Sequence, residues 1–222
     1  MKADLVSYKI NGHSAQGYLV KPDIPIKGGV VVIQEWWGLN DHIKDVALRV
    51  AELGYMVIAP DLYDGKVALE PDEAKKLKME MQLPQAVKKI EAASRFLKKQ
   101  GADRVAVMGF CMGGTLSLLG ATTGEFVVGI PFYGSIAQEV KDSLNKIKAP
   151  ILGIYGTHDH GITVESVREF KAKLDEQGTP NEFHFYEADH AFFNDTRDSY
   201  DKEAAEDAWE RLKAWLEKYL QS

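Results

Sequence analysis

Apolar residues in this chain fall into two alternating patterns. Short unbroken runs at Val30–Ile33, Tyr55–Ala59, Phe126–Pro131, Pro150–Tyr155 and Phe183–Tyr186, and a further one from Arg104 into Val105-Ala106-Val107-Met108, are rich in β-branched and aromatic residues. Runs of that length and content predict strands, and the fully apolar Val30–Ile33 predicts one buried on both faces of a sheet. Between them the apolar positions recur every three or four residues, the spacing of one helix face. Ile43, Val46, Ala47, Val50 and Leu53 form such a face, capped by Asp41 and stopped at Gly54. Val87, Ile90, Ala93, Phe96 and Leu97 form another behind Pro84, and Ala204, Ala208, Leu212, Trp215 and Leu216 a last one. Leu5–Ile10 and Gly17–Lys21 flank Asn11-Gly12, which predicts an antiparallel hairpin. Residues 61–83 are charged and Met-rich, and are expected to be an irregular cover. The alternation predicts one α/β domain over residues 1–222, a mostly parallel central sheet with helices on both faces and an N-terminal antiparallel hairpin. In such sheets chemistry collects at the C-terminal strand ends. Glu35, Cys111, Asp159 and His190 fall there.

Composition narrows the partners. Of 222 residues 45% are hydrophobic and 27% charged, as in ordinary globular proteins. The net charge of -6, without a basic block, argues against nucleic acid and anionic membrane. A lone cysteine forms no internal disulfide and suits a reducing compartment. The first residues lack a signal-peptide core, and no apolar run reaches membrane-spanning length. The expectation is a cytoplasmic monomer acting on a small molecule.

The candidate chemistry centres on Gly109-Phe110-Cys111-Met112-Gly113, between a predicted strand and a helix carrying Leu116, Leu118 and Leu119. This is the G-x-nucleophile-x-G pattern with cysteine at its apex. A strand turning sharply into a helix strains the apex residue and needs small flanks, and it sets the thiol at a helix N-terminus that favours an anion. A buried, inert cysteine is the alternative, but glycines on both flanks favour the nucleophile. A thiol needs a base, and the base an orienting acid. His190, after the last strand, is the candidate base. Asp159, after the strand ending at Tyr155, is the candidate acid and is preferred over Asp189, whose side chain rarely faces the next imidazole. The order nucleophile, acid, histidine is that of α/β-hydrolases. His158 and His160 with His190 raise a metal site as a weaker reading, since no other thiol ligand is present. A thiol redox sensor and a non-catalytic binding protein on the same fold are further alternatives. Both rank below hydrolysis.

Gln34-Glu35-Trp36-Trp37-Gly38-Leu39-Asn40, Ala59-Pro60-Asp61-Leu62-Tyr63, Gly109-Phe110-Cys111-Met112-Gly113-Gly114, Gly156-Thr157-His158-Asp159 and His190-Ala191-Phe192-Phe193 together resemble the dienelactone hydrolase family. The resemblance runs over nearly the whole chain. It implies an α/β-hydrolase fold, hydrolysis of enol lactones and related esters, and no metal or organic cofactor. It implies a Cys111–His190–Asp159 triad, an extra carboxylate at Glu35 and an oxyanion hole from the Trp36 and Met112 N–H groups. Two arginines hold the substrate carboxylate in the founding members. One falls where this chain has Asn194, the other in a cover that here offers Lys75, Lys76 and Lys78. Arg197, in the same loop, is either a substitute that reaches the site or a solvated surface charge. Trp36, Trp37, Phe132, Tyr133, Phe192 and Phe193 are expected to give an aromatic lining suited to an apolar or aryl ester.

Overall fold

The computed structural model describes residues 1–221. Strands β1 (Lys2–Ile10) and β2 (His13–Lys21) form the hairpin, in register from Lys2 opposite Lys21 to Ile10 opposite His13. Asn11 and Gly12 turn it with φ of 44° and 85°, the left-handed pair that a two-residue hairpin turn requires. Then follow β3 (Gly29–Ile33), α1 (Asp41–Glu52), β4 (Met56–Pro60), α2 (Pro71–Glu80), α3 (Leu83–Lys99), β5 (Val105–Phe110), α4 (Met112–Ala121), β6 (Val128–Phe132), α5 (Gln138–Asp142), β7 (Ile151–Gly156), α6 (Val164–Glu176), β8 (Asn181–Tyr186) and α7 (Lys202–Leu220). One sheet orders them β1-β2-β4-β3-β5-β6-β7-β8. The hairpin joins β4 antiparallel, and every pairing from β4 to β8 is parallel.

Side-chain alternation along the strands divides the core into two layers. Val30 and Val32, Ala106 and Met108, and Ile130 and Phe132 point to α1 and α7, against Ile43, Val46, Leu212 and Leu216. Val31 and Ile33, with Val105 and Val107, point the other way, against α3 and α4. Two-sided burial is why these strands read as unbroken apolar runs.

Three local expectations are corrected. The cap of α1 is Asn40, whose side chain accepts from the Ile43 N–H, and Asp41 is the first helical residue. Both types cap, and the backbone turn places Asn40 in the extended conformation that capping needs. Residues 61–83 are not irregular throughout. They contain α2, which starts at Pro71 and buries only Ala74 and Leu77. So thin an apolar stripe does not stand out against its charges. Finally, β6 runs through Pro131 to Phe132 instead of stopping at the proline. The β6–β7 register pairs Gly129 with Ile151 and Phe132 with Ile154, so the ladder skips the position where proline has no N–H to give.

Candidate active site

Register sets the site. Ile33 of β3 lies opposite Gly109 of β5, and Phe110 opposite Phe132 of β6, so Glu35, Cys111 and Tyr133 leave the same edge of the sheet. Asp159 follows β7 and His190 follows β8, at that edge too. Cys111 stands between β5 and α4 at φ 55°, ψ −116°, a left-handed conformation that costs a non-glycine residue on the order of 1–3 kcal/mol. Its flanks cannot carry side chains. A Cβ on Gly109 would fall 2.1 Å from the Gly113 carbonyl oxygen, and one on Gly113 would fall 2.5 Å from the oxygens of Ile33 and Gln34. The Cys111 N–H donates to the Phe132 carbonyl at 3.0 Å, fixing the turn to β6. Neither the Trp36 nor the Met112 N–H donates to another backbone group among the described residues.

His190 Nδ1 lies 2.5 Å from Asp159 Oδ2. The second Asp159 oxygen accepts from the Gly161 N–H at 2.9 Å and the Ile162 N–H at 3.0 Å, so the carboxylate is fixed on both sides. Burial alone would push Asp159 up. The His190 contact and the two N–H groups outweigh it and hold the carboxyl below its ordinary range. Burial likewise pulls His190 down, yet Asp159, and Cys111 at hydrogen-bonding reach on the other side, raise it to about 10. Asp189 makes no contact with the imidazole among the hydrogen bonds and ion pairs of the described residues. This arrangement can pass a proton between sulfur and imidazole while the carboxylate stabilises the imidazolium.

Glu35 is buried beside this pair. Its Oε2 accepts from Asn194 Nδ2 at 2.7 Å, and Asn194 is itself fixed by the Thr196 N–H and hydroxyl on its own oxygen. Burial dominates and raises Glu35 above the usual carboxylate range, although Asn194, His190, Arg197 and the Tyr133 hydroxyl each act to lower it. Tyr133 has φ 37° and is fully buried, with its ring 5.1 Å from that of His190.

A cleft of about 590 Å³ opens at this edge, bounded by Cys111, Met112, Thr115, Tyr133, Ser135, Asp159, Asp189, His190 and Ser199, with His158, His160 and Lys78 among its charged or titratable walls. Several expected binding residues lie elsewhere. Phe192 and Phe193 are core, with Phe193 stacked on Phe110 at 5.3 Å, because the chain after His190 turns back under α7. Trp37 is packed edge-on against Trp36, and Arg197 lies over its ring at 3.7 Å. Asn194 meets Glu35 and not the cleft. The aromatic lining is therefore corrected to a mixed one, in which Met112 and Ile162 sit among hydroxyl, carboxyl and imidazole groups, with Tyr133 as its buried aromatic. Among the described residues no three His, Cys, Asp or Glu side chains form a metal-holding group, and no described helix is long and apolar enough to cross a membrane.

A parallel sheet with a strained strand-to-helix elbow, followed in order by an acid and a histidine at successive strand ends, defines an α/β-hydrolase. The dienelactone hydrolase family model matches residues 15–220, and the chain belongs to that family. A protein from Saccharolobus solfataricus assigned as a carboxymethylenebutenolidase is 34% identical, over 95% of this chain and 96% of its own. Protein usf of Aquifex pyrophilus is 35% identical, over 97% and 98%. A crystal structure from Klebsiella pneumoniae subsp. pneumoniae assigned as a dienelactone hydrolase superposes with TM-score 0.90 at 31% identity, covering 98% of this chain and 99% of its own. The chain is a hydrolase of this kind.

Proposed function

We propose that this chain hydrolyses small esters or lactones through an acyl-enzyme on Cys111. The observation that carries the reading is the strained Cys111 held beside an imidazole whose other nitrogen is 2.5 Å from a buried carboxylate. The Cys111 thiol gives its proton to His190; as the sulfur bonds to the carbonyl carbon, the carbonyl electron pair moves onto oxygen, where the Trp36 and Met112 N–H groups receive it. When the pair returns, the bond to the alcohol or enol oxygen breaks and that oxygen takes the proton held by His190. His190, neutral again and oriented by Asp159, then removes a proton from water attacking the thioester, and the acid leaves as the thiol is restored. A cleft of about 590 Å³ with mixed polar and apolar walls supports compact substrates. All these groups come from one chain, which supports action as a monomer, and a lone thiol that must stay reduced supports a cytoplasmic setting. Turnover of 4-nitrophenyl acetate and of an enol lactone, lost in step with one-to-one alkylation of Cys111 by iodoacetamide, is the expected result. Complete alkylation that leaves turnover intact would exclude the thiol. Alkylation with no turnover of any ester or lactone would favour a thiol sensor.

A further inference from the structure

The segment Ala59-Pro60-Asp61-Leu62-Tyr63 takes no part in the chemistry described above, yet it is held by several hydrogen bonds. The Leu62 N–H donates to Gln34 Oε1 at 3.1 Å, tying the loop to the end of β3 one residue before Glu35. Asp61 folds over its own loop, accepting from the Tyr63 N–H at 3.0 Å with one oxygen and from the Gly65 N–H with the other. Beyond Tyr63 the chain pairs with the loop that follows Glu35. The Ala68 N–H donates to the Trp37 carbonyl at 2.8 Å, and Gly38 bridges to Val67. The Tyr63 ring lies against Gly38, with Cδ2 3.4 Å from where a Cβ there would stand.

These bonds aim the Tyr63 hydroxyl inward. It is buried, and the acceptor it reaches is Met112 Sδ at 3.5 Å. A thioether is a weak acceptor, and buried tyrosine hydroxyls usually find a better one. The same hydroxyl is close enough to Cys111 to sense its charge. Burial first, and that charge second, keep the phenol above its ordinary range, so it stays a donor. Tyr63 thus stands between the Trp36–Gly38 loop and the Cys111–Met112 elbow, the two segments whose N–H groups receive the oxyanion.

Building on the acyl-transfer reading, we propose that the Tyr63 hydroxyl is a third oxyanion donor, turning from Met112 Sδ to the substrate oxygen as the tetrahedral intermediate forms. It donates a hydrogen bond and keeps its proton. The charge it meets exists only between bond formation at sulfur and departure of the leaving group, so its contribution falls on the chemical step and not on substrate binding.

Tyr63→Phe removes the hydroxyl and keeps the packed ring. The test compares wild type and variant in three measurements. In ester turnover, kcat should fall on the order of a hundredfold with KM nearly unchanged. A trifluoromethyl ketone adds the thiol to its carbonyl and leaves an oxyanion, so its inhibition constant should rise by a similar factor. Iodoacetamide, whose reaction displaces iodide and creates no oxyanion, should alkylate Cys111 at the wild-type rate. Wild-type kcat and ketone affinity in the variant would overturn the proposal. So would a parallel loss of alkylation, which would mean that Tyr63 only shapes the elbow. Should Tyr63→Phe fail to fold, 3-fluorotyrosine at position 63, a stronger donor, should tighten the ketone several-fold, and unchanged affinity there would overturn the proposal. Failure of iodoacetamide to stop turnover in wild type would sink the acyl-transfer reading itself, which separates the two.

Discussion

Asp159→Asn tests the proton relay most directly. The asparagine oxygen can keep the Gly161 and Ile162 N–H groups that now hold Oδ1, which leaves the amide NH2 facing His190 Nδ1. That nitrogen must then accept, and the imidazole proton moves to Nε2, facing Cys111. Once His190 has given its proton to the leaving group, a neutral ring in that tautomer presents an N–H and not a lone pair to the attacking water, and kcat should fall on the order of ten-thousandfold, the scale of the same change in other triads. The charge is also lost. His190 stands at about 10 against an ordinary 6.5, a gap equivalent to about 5 kcal/mol. The imidazole is 37% exposed, so solvent screens the interaction and roughly half remains. Asp159 and Cys111 divide that remainder, leaving Asp159 on the order of 1 kcal/mol, or nearly one pH unit. In wild type kcat/KM should fall on the alkaline side, well above the ordinary 6.5 of a histidine, as the imidazolium loses its proton. In Asp159→Asn the limb should move down by about one unit. Stability follows the same linkage. A raised histidine contributes fully below 6.5 and loses that contribution as pH rises through about 10, while the lowered Asp159 contributes above its ordinary 3.8 and fades in acid. The urea-unfolding gap between wild type and variant should therefore be widest between about pH 4 and 6.5 and shrink towards pH 10. A variant with kcat within tenfold of wild type and an unmoved alkaline limb would refute the assignment of Asp159.

Other changes probe the neighbouring groups. Cys111→Gly should abolish ester turnover yet stabilise the fold by about 1 kcal/mol in thermal unfolding, since φ 55° costs glycine little; lower stability would mean that the elbow is unstrained. Asn194→Ala strips the buried Glu35 Oε2 of its donor, should destabilise by about 1–3 kcal/mol and should push Glu35 further up, which pH-dependent unfolding would detect. Glu35→Gln should speed alkylation of Cys111 once pH exceeds the raised Glu35 value, because the carboxylate charge is gone, and should slow ester turnover if Glu35 accepts a proton during attack; coincident alkylation profiles would show that Glu35 does not control the thiol. With Asn194 bound to Glu35 and Arg197 stacked on Trp37, the lysine or arginine among the described cleft walls is exposed Lys78, so neutral esters should have higher kcat/KM than carboxylate-bearing ones, and Lys78→Ala should cost the latter no more than about fivefold.

Much of this protein is legible in one dimension. Strands buried on both faces carry their signature as unbroken apolar runs, and the Asn11-Gly12 turn, the Gly109–Gly113 elbow and the order of Cys111, Asp159 and His190 follow from local sterics and from the rule that parallel sheets collect chemistry at one edge. What the sequence could not decide is where side chains in the connecting loops point. Phe192 and Phe193 lie beside His190 in sequence but turn into the core under α7, and Arg197 stacks on Trp37 instead of entering the cleft. Asn194, in the place of a family arginine, becomes the buried partner of a carboxylate 159 residues away. Helix α2 hides because it buries two side chains among many charges. Tyr63 carried a family signature but no assigned task until the fold brought its hydroxyl to Met112. Periodicity reports which face of an element meets the core, because that is set by backbone geometry over a few residues. Loop direction depends on register between strands distant in sequence, and only the assembled sheet fixes it.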